Sequence, residues 1–162
     1  MSRIINIKEA IELSKKIRKT GKIVVLTGGC FDVLHLGHVK FLEAAKKQGD
    51  TLFVFVESDE AVRRTKTKDR PINNQDVRAE VLSSIRFVDY VIKIPYFDNG
   101  GYDNLISSLK PSVIAVTKDS EAIKHAKRQA GKIGALVSEV IGRIPDQSTT
   151  KIAKIISDEN RL

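Results

Sequence analysis

The chain has 162 residues with 41% apolar content and a formal net charge of +8; we predict a single domain over residues 1–162 and anionic partners such as nucleic acid, acidic lipid or phosphorylated small molecules. No run of about 20 apolar residues occurs and the N-terminus lacks the layout of a secretion signal, so neither a membrane span nor export is indicated and we expect a soluble, cytoplasmic protein. The lone Cys30 excludes an internal disulfide.

The first third of the chain alternates helix and strand. Apolar residues at spacings of three and four predict an amphipathic helix over residues 7–19. The β-branched run KIVVLT, residues 22–27, predicts a strand buried on both faces that stops at Gly28. A helix is predicted to begin near Gly37 and to be capped by Gly49.

The alternation continues after an interruption. TLFVFV predicts a second strand, followed by a short helix with Ser58 at its start, a loop over residues 66–73 and a helix capped by Asn74. Three further strands and three helices follow: DYVIKI, SVIAVT and ALVSEVI, and helices over residues 101–110, 120–131 and 148–160. Strands separated by helices of this length predict an α/β fold, a Rossmann-like, doubly wound, parallel sheet of five strands.

The stretch LTGGCFDVLHLGH, residues 26–38, should lie at the carboxyl ends of the strands, where such folds bind ligands. Gly28 and Gly29 let the backbone approach a ligand, and the start of the following helix adds amides and the positive end of its dipole. His35 and His38 flank Gly37 at this point. Two imidazoles beside such a turn can donate hydrogen bonds to phosphoryl oxygens as charge develops on them.

Other interpretations of these residues stay open. His35 alone is consistent with a cap or a structural histidine, and Asp32 with a side chain that ties down its own turn. Cys30, Asp32, His35 and His38 also carry metal-ligating atoms within nine residues. We expect no metal on these side chains, because the remaining histidine, His125, has no partner of metal-binding type close by in sequence.

Two motifs resemble those of a known family. GGCFDVLHLGH resembles the GxFDxxHxGH signature of the cytidylyltransferase-like nucleotidyltransferases, and STTK at residues 148–151 resembles their second signature, ISTTK, with Gln147 in place of the usual Ile or Cys. The likeness covers residues 4–156 and, with RPINNQDVRAEVLSSIRFVDYVI, is strongest to the adenylyltransferase domain of bacterial ADP-heptose synthesis, the RfaE type. Glycerol-3-phosphate cytidylyltransferase and archaeal FAD synthetase are similar but poorer matches.

The resemblance implies roles for the matched residues. His35, His38, Lys46 and Lys151 would be the catalytic residues, stabilising the transferring phosphoryl group and neutralising phosphate charge. Nucleotide binding would involve Gly28, Gly29, Cys30, Phe31, His35, His38, Asp119, Arg143, Ser148, Thr149 and Thr150. Substrate contact or bracing of the site would fall to Asp32, Arg70 and Arg78. The alternative for Arg78 and Arg143 is a solvated surface charge, and for Ser148 an ordinary N-cap.

The implied reaction is attack of a phosphomonoester oxygen on the α-phosphorus of a nucleoside triphosphate, with release of pyrophosphate and with Mg²⁺ held mainly by the nucleotide phosphates. The expected reaction transfers AMP from ATP to a sugar phosphate. CTP stays open, because AVTKDS at residues 115–120 stands where these adenylyltransferases typically have VKGGDY. The rival class is a nucleotide- or nucleic-acid-binding module without catalysis, which would be free to lose an imidazole. The family likeness also implies a homodimer.

Overall fold

The computed structural model describes residues 3–66, 69–98 and 100–159. Parts of two predicted segments, residues 67 and 68 of the loop and residue 160 of the last helix, lie outside the described residues. The described part forms six strands and seven helices. They are β1 (Ile4–Ile5), α1 (Ile7–Lys19), β2 (Val24–Gly29), α2 (Leu36–Lys46), β3 (Thr51–Val56), α3 (Asp59–Thr65), α4 (Gln75–Ser83), β4 (Tyr90–Lys93), α5 (Gly101–Leu109), β5 (Val113–Thr117), α6 (Ala122–Ile133), β6 (Leu136–Ile141) and α7 (Thr149–Glu159).

The strands form one parallel sheet in the order β1-β4-β3-β2-β5-β6. The predicted doubly wound α/β fold is confirmed, but the predicted number of five strands is wrong. The sixth strand is Ile4–Ile5, which pairs with Val91 and Ile92 at the edge of the sheet. Two residues are too short to show an alternating pattern, so periodicity gives no signal for this strand.

Side chains alternate between two cores, one on each face of the sheet. Phe53 and Phe55 of β3 pack with residues of α1, α5 and α6 on one face, and Leu52 and Val54 pack with residues of α2 and α4 on the other. All four are fully buried. Helices therefore cover both faces, which leaves the carboxyl ends of the strands as the edge where loops gather.

Local capping explains several helix boundaries. Asn6 and Glu9 form a capping box at the start of α1, and the side chains of Ser58 and Asn74 accept hydrogen bonds from the backbone at the starts of α3 and α4, as predicted. The predicted cap at Gly49 is wrong, because α2 ends at Lys46. A Cβ at Gly49 would lie 2.5 Å from Ile23 Cγ2, so this glycine is needed where the chain passes closely over β2.

The described helices include none that is long and apolar enough to span a membrane.

Candidate active site

A cavity of about 840 Å³ opens at the carboxyl ends of the central strands. Its wall is made by the turn after β2, the start of α2, the ends of β3 and β5, the first turn of α5, one face of α6 and the segment between β6 and α7. This is the place that the doubly wound topology assigns to a ligand.

The turn after β2 is built with very little space for side chains. A Cβ on Gly28 would lie 2.9 Å from Tyr102 Oη and 3.3 Å from Phe55 Cβ, and a Cβ on Gly29 would lie 3.3 Å from the Phe31 ring. Phe31 itself has a left-handed backbone, with φ of 47°. The backbone of this turn therefore lines the cavity directly.

The two histidines form a stacked pair at the start of α2. Their ring centroids lie 3.9 Å apart with an interplanar angle of 27°, and Phe31 contacts the His38 ring at 5.4 Å. His35 occupies the N-cap position, but its side chain makes no capping hydrogen bond. A Cβ on Gly37 would lie 2.9 Å from His35 Cε1, so the glycine between the histidines leaves the space that the His35 ring fills.

Both imidazoles are neutral at physiological pH. Burial lowers the pKa of His35, while burial and then the neighbouring His35 lower the pKa of His38 to about 4. The Nδ1 atoms of both rings are buried and have no hydrogen-bond partner among the described residues. Each ring can therefore still form hydrogen bonds with a ligand, whereas a structural histidine has already used its hydrogen-bonding atoms within the protein.

Asp32 fixes the loop that runs along one side of the cavity. Its carboxylate accepts hydrogen bonds from Arg70 Nε at 2.5 Å and from the backbone amides of Ile72 and Asn73 at 2.8 Å each. Burial alone would raise the pKa of Asp32, but the amides of Asn73 and Ile72 and the Arg70 guanidinium together hold it below its ordinary value. The carboxylate is therefore ionised and occupied with bracing, and it has little capacity left to ligate a metal.

Arg78 is a buried brace rather than a solvated surface charge. It is 1% exposed and donates to the carbonyls of Cys30, Glu57 and Asn73 at 2.5, 2.8 and 2.9 Å, and to Asp59 Oδ1 at 2.7 Å. The alternative of a surface arginine is wrong for this position. One guanidinium joins the ends of β2 and β3 to the start of α3 and to the loop before α4.

The start of α7 lies beside the start of α2 at the cavity, because a Cβ on Gly37 would lie 3.6 Å from Gln147 Cβ. Arg143, Ser148, Thr149 and Thr150 all line the cavity. Thr149 Oγ1 donates to the carbonyl of Val33 at 3.2 Å, which ties this helix to the turn before α2. Ser148 Oγ also accepts from the backbone amide of Lys151 at 3.1 Å, so it acts as an N-cap as well.

Not every predicted residue reaches the cavity. Lys46 lies at the far end of α2, roughly 15 Å from the helix start by the rise of 1.5 Å per residue. Its ammonium contacts Asp89 Oδ2 at 2.6 Å and the carbonyl of Asp50 at 2.5 Å. The predicted phosphate contact of Lys46 does not fit this position. Lys151 is half exposed with its ammonium paired to Asp146, and Asp119 stands in a left-handed turn after β5, with φ of 55°.

The cavity also contains residues that the sequence patterns did not identify as site residues. These are Glu57, Lys66, Tyr102, Asp103, His125 and Arg128. Glu57 directly follows β3, and Tyr102 and His125 lie in the first turns of helices that follow strands, so the order of predicted elements could have indicated all three positions. Within residues 3–66, 69–98 and 100–159, no group of three or more His, Cys, Asp or Glu side chains could hold a metal ion.

The cytidylyltransferase-like family model matches residues 26–155. The chain belongs to this family. The cytidylyltransferase-like membership predicted from the sequence is thus confirmed, and with it the class of enzyme, a nucleotidyltransferase. The start of α2 and the start of α7, which carry the two sequence motifs, both line the cavity.

Similar proteins include bifunctional proteins HldE. The HldE of Nitratiruptor sp. is 43% identical over 147 residues, covering 90% of this chain and 30% of the relative. The HldE of Campylobacter concisus is 42% identical over 153 residues, covering 94% of this chain and 31% of the relative. The present cytidylyltransferase-like chain therefore spans about a third of the length of these curated relatives.

Two solved structures share the fold. The lipopolysaccharide core biosynthesis protein from Thermoplasma volcanium has a TM-score of 0.61 and 30% identity, covering 79% of this chain and all of that chain. Pantoate-beta-alanine ligase from Francisella tularensis, solved with an ATP analogue and beta-alanine, has a TM-score of 0.63 at 16% identity, covering 100% of this chain and 80% of that one. At 16% identity, the likeness to the ligase concerns the fold alone.

Proposed function

We propose that the chain transfers AMP from ATP to the phosphate of a sugar phosphate and releases pyrophosphate. The observation that carries the proposal is the stacked, neutral pair His35 and His38 at the start of α2, which lines the same cavity as the start of α7. Two helix starts at one cavity form two adjacent anion cradles, which suits a triphosphate. Similarity to the HldE proteins supports a sugar phosphate as the acceptor, as does similarity to the lipopolysaccharide core biosynthesis protein from Thermoplasma volcanium.

The chemistry needs no covalent intermediate on the protein. An oxygen of the acceptor phosphate attacks the α-phosphorus in line, and the bond from that phosphorus to the bridging oxygen breaks, so that pyrophosphate leaves. N–H groups of His35 and His38 donate to the oxygens of the α-phosphate, and the backbone of Gly28 and Gly29 lets that phosphate come close. Arg143 and the hydroxyls of Ser148 and Thr149 hold the β- and γ-phosphates on the other side.

Neutral imidazoles fit this task. Each neutral ring still carries one N–H donor, held in place by the surrounding residues. Burying a neutral ring costs less desolvation energy than burying a charged one. When the polyanionic nucleotide binds, its charge favours protonation of the rings. The divalent cation belongs to the substrate in this scheme: Mg²⁺ enters with the nucleotide phosphates, in keeping with the lack of a carboxylate cluster among the described residues.

The test is pyrophosphate release from ATP or CTP with Mg²⁺, using heptose-1-phosphate, glycerol-3-phosphate and FMN as separate acceptors. We expect release with ATP and the heptose phosphate, and a loss of about 10²- to 10³-fold in kcat for His35→Ala or His38→Ala, the range known for removal of one transition-state donor. Release with CTP and glycerol phosphate alone would move the substrate and keep the chemistry. Nucleotide binding without release from any pair, unchanged in His35→Ala, would support the non-catalytic module.

We further propose a homodimer in the cytoplasm, as the family likeness implies. Exposed apolar residues of α4, Val77 and Val81, follow the exposed Ile72 and offer a surface for such a contact. Sedimentation equilibrium across a hundredfold range of protein concentration measures the association, and a monomer at every concentration would contradict it.

A further inference from the structure

Two polar side chains in the cavity take no part in the bracing described above. Glu57 immediately follows β3 and Tyr102 lies in the first turn of α5, and both line the cavity. Within the described part of the chain, the Glu57 carboxylate has no ion pair and neither side chain has a hydrogen-bonding partner. The backbone of Glu57 is pinned, because its amide donates to the carbonyl of Gly29 at 3.1 Å and its carbonyl accepts from Arg78.

Glu57 and Tyr102 lie on the same side of the sheet. Phe53 and Phe55 point to the face covered by α5, and strand alternation continues this direction to Glu57. Tyr102 packs edge-on against Phe55 with ring centroids 5.9 Å apart, and its hydroxyl lies over Gly28, where a Cβ would be 2.9 Å away. Burial, and next the charge of Glu57, raise the pKa of Tyr102, as expected for close neighbours.

The pair lies beside the turn that would hold the α-phosphate, because the Tyr102 hydroxyl lies over Gly28 and Glu57 follows the neighbouring strand β3. β3 lies on one side of β2, while β5 and β6 lie on the other. In-line attack brings the acceptor to the α-phosphate opposite the leaving pyrophosphate, whose phosphates the scheme above assigns to Arg143 and the start of α7. The space beside Glu57 is therefore on the side where the acceptor enters.

The side-chain chemistry of Glu57 and Tyr102 indicates which groups of the acceptor they bind. A carboxylate repels phosphate and accepts hydrogen bonds from hydroxyl groups, and burial raises the pKa of Glu57, so that a neutral partner suits it better than an anion. A tyrosine hydroxyl both donates and accepts. A carboxyl and a phenol with open capacity on one wall match a compound with several hydroxyl groups.

We propose that Glu57 and Tyr102 form the subsite that binds the sugar hydroxyls of the acceptor. The proposal rests on the function proposed above, because it assumes that a sugar phosphate is the acceptor. It makes Glu57 a determinant of acceptor choice and assigns it no part in phosphoryl chemistry.

The experiment compares Glu57→Met and Tyr102→Phe with the wild type and with Glu12→Gln, an exposed glutamate of α1 that serves as the matched control. KM is measured separately for ATP and for the sugar phosphate, with Glu57→Gln as a conservative third variant. We expect the acceptor KM to rise about ten- to hundredfold in Glu57→Met, less in Glu57→Gln and Tyr102→Phe. The KM for ATP should stay within twofold. An acceptor analogue that lacks the contacted hydroxyl should bind the wild type and Glu57→Met equally well.

An unchanged acceptor KM in Glu57→Met would overturn the subsite, and an equal rise in the KM for ATP would reassign Glu57 to the nucleotide ribose. Isothermal titration with the sugar phosphate alone separates the two proposals. If the wild type binds the sugar phosphate but releases no pyrophosphate, the proposed function fails while the Glu57→Met affinity still tests the subsite. If the wild type binds no sugar phosphate, the subsite is refuted.

Discussion

The buried His38 should make the folded chain sensitive to mild acid. Its pKa lies at about 4, against 6.5 for an exposed histidine. Because the folded value is the lower one, the protein has its full stability above pH 6.5 and loses this contribution as the pH falls toward 4. The linkage gives a loss of about 2 kcal/mol near pH 5 and about 3 kcal/mol once both states are protonated. Replacement by glutamine, in His38→Gln, removes the titration and should remove this loss.

The assay is urea unfolding at pH 8 and pH 5, followed by far-UV circular dichroism because the chain contains no tryptophan. The free energy of unfolding of the wild type should fall by about 2 kcal/mol more than that of His38→Gln between the two pH values. Carboxylates and His35 titrate in both proteins and largely cancel in this difference. Equal falls in the two proteins would refute the reasoning, since His38 would then titrate as it does in water. His38→Asn repeats the comparison if His38→Gln does not fold.

Three further substitutions test the geometry of the site. Gly37→Ala should displace the His35 ring and lower kcat at least tenfold while leaving the free energy of unfolding unchanged or about 0.5–1 kcal/mol higher, because alanine favours the helix. Arg78→Met should lower the free energy of unfolding by about 3 kcal/mol, since it leaves Asp59 and three carbonyls without their buried donor. Lys46→Met should cost about 1 kcal/mol through loss of the Asp89 pair and leave kcat within twofold.

Each of these substitutions has a control and a contradicting outcome. Gly131→Ala, in α6 with nothing within 4 Å of the new Cβ, reports the helix effect without a clash, and an unchanged kcat in Gly37→Ala would contradict the steric argument. Arg63→Met removes an exposed arginine of α3. An equal fall in the free energy of unfolding in this variant would contradict the bracing role of Arg78. A kcat that falls a hundredfold in Lys46→Met, with stability retained, would restore Lys46 to the catalytic residues.

The alternation of strands and helices was readable from the sequence because each buried strand is a nearly continuous apolar run. Tertiary contacts decided the remaining features of the fold. Gly49 has the composition of a helix cap but meets the side chain of Ile23, a neighbour 26 residues away in sequence. The edge strand Ile4–Ile5 exists only because β4 offers it an unpaired partner. No local pattern contains either contact.

The histidine pair was predictable for the same reason that makes it effective: its residues are close in sequence, and one glycine sets their spacing. A bracing role for Arg78 was expected from the family likeness, but its partners were not predictable, because they are mostly backbone carbonyls, which leave no trace in the residue types. Lys46 was misplaced because its phosphate contact was carried over from the family likeness without regard to its position in the helix. A helix that starts at the carboxyl edge of a parallel sheet runs back to the amino edge, so a lysine in its last turn ends up at the opposite side of the domain.

The hydrogen bonds of Arg78 determine which parts of this fold can change during evolution. Arg78 donates to the carbonyls that follow two strands, to one loop carbonyl and to the Asp59 carboxylate at a helix start, so these four segments keep their relative positions. Side chains between the fixed points, such as that at position 57, can then be exchanged at small structural cost. A single substitution at position 57 could therefore change the acceptor preference during evolution. Replacement of the whole loop would have to preserve the carbonyl at position 73 and the two backbone amides that donate to Asp32.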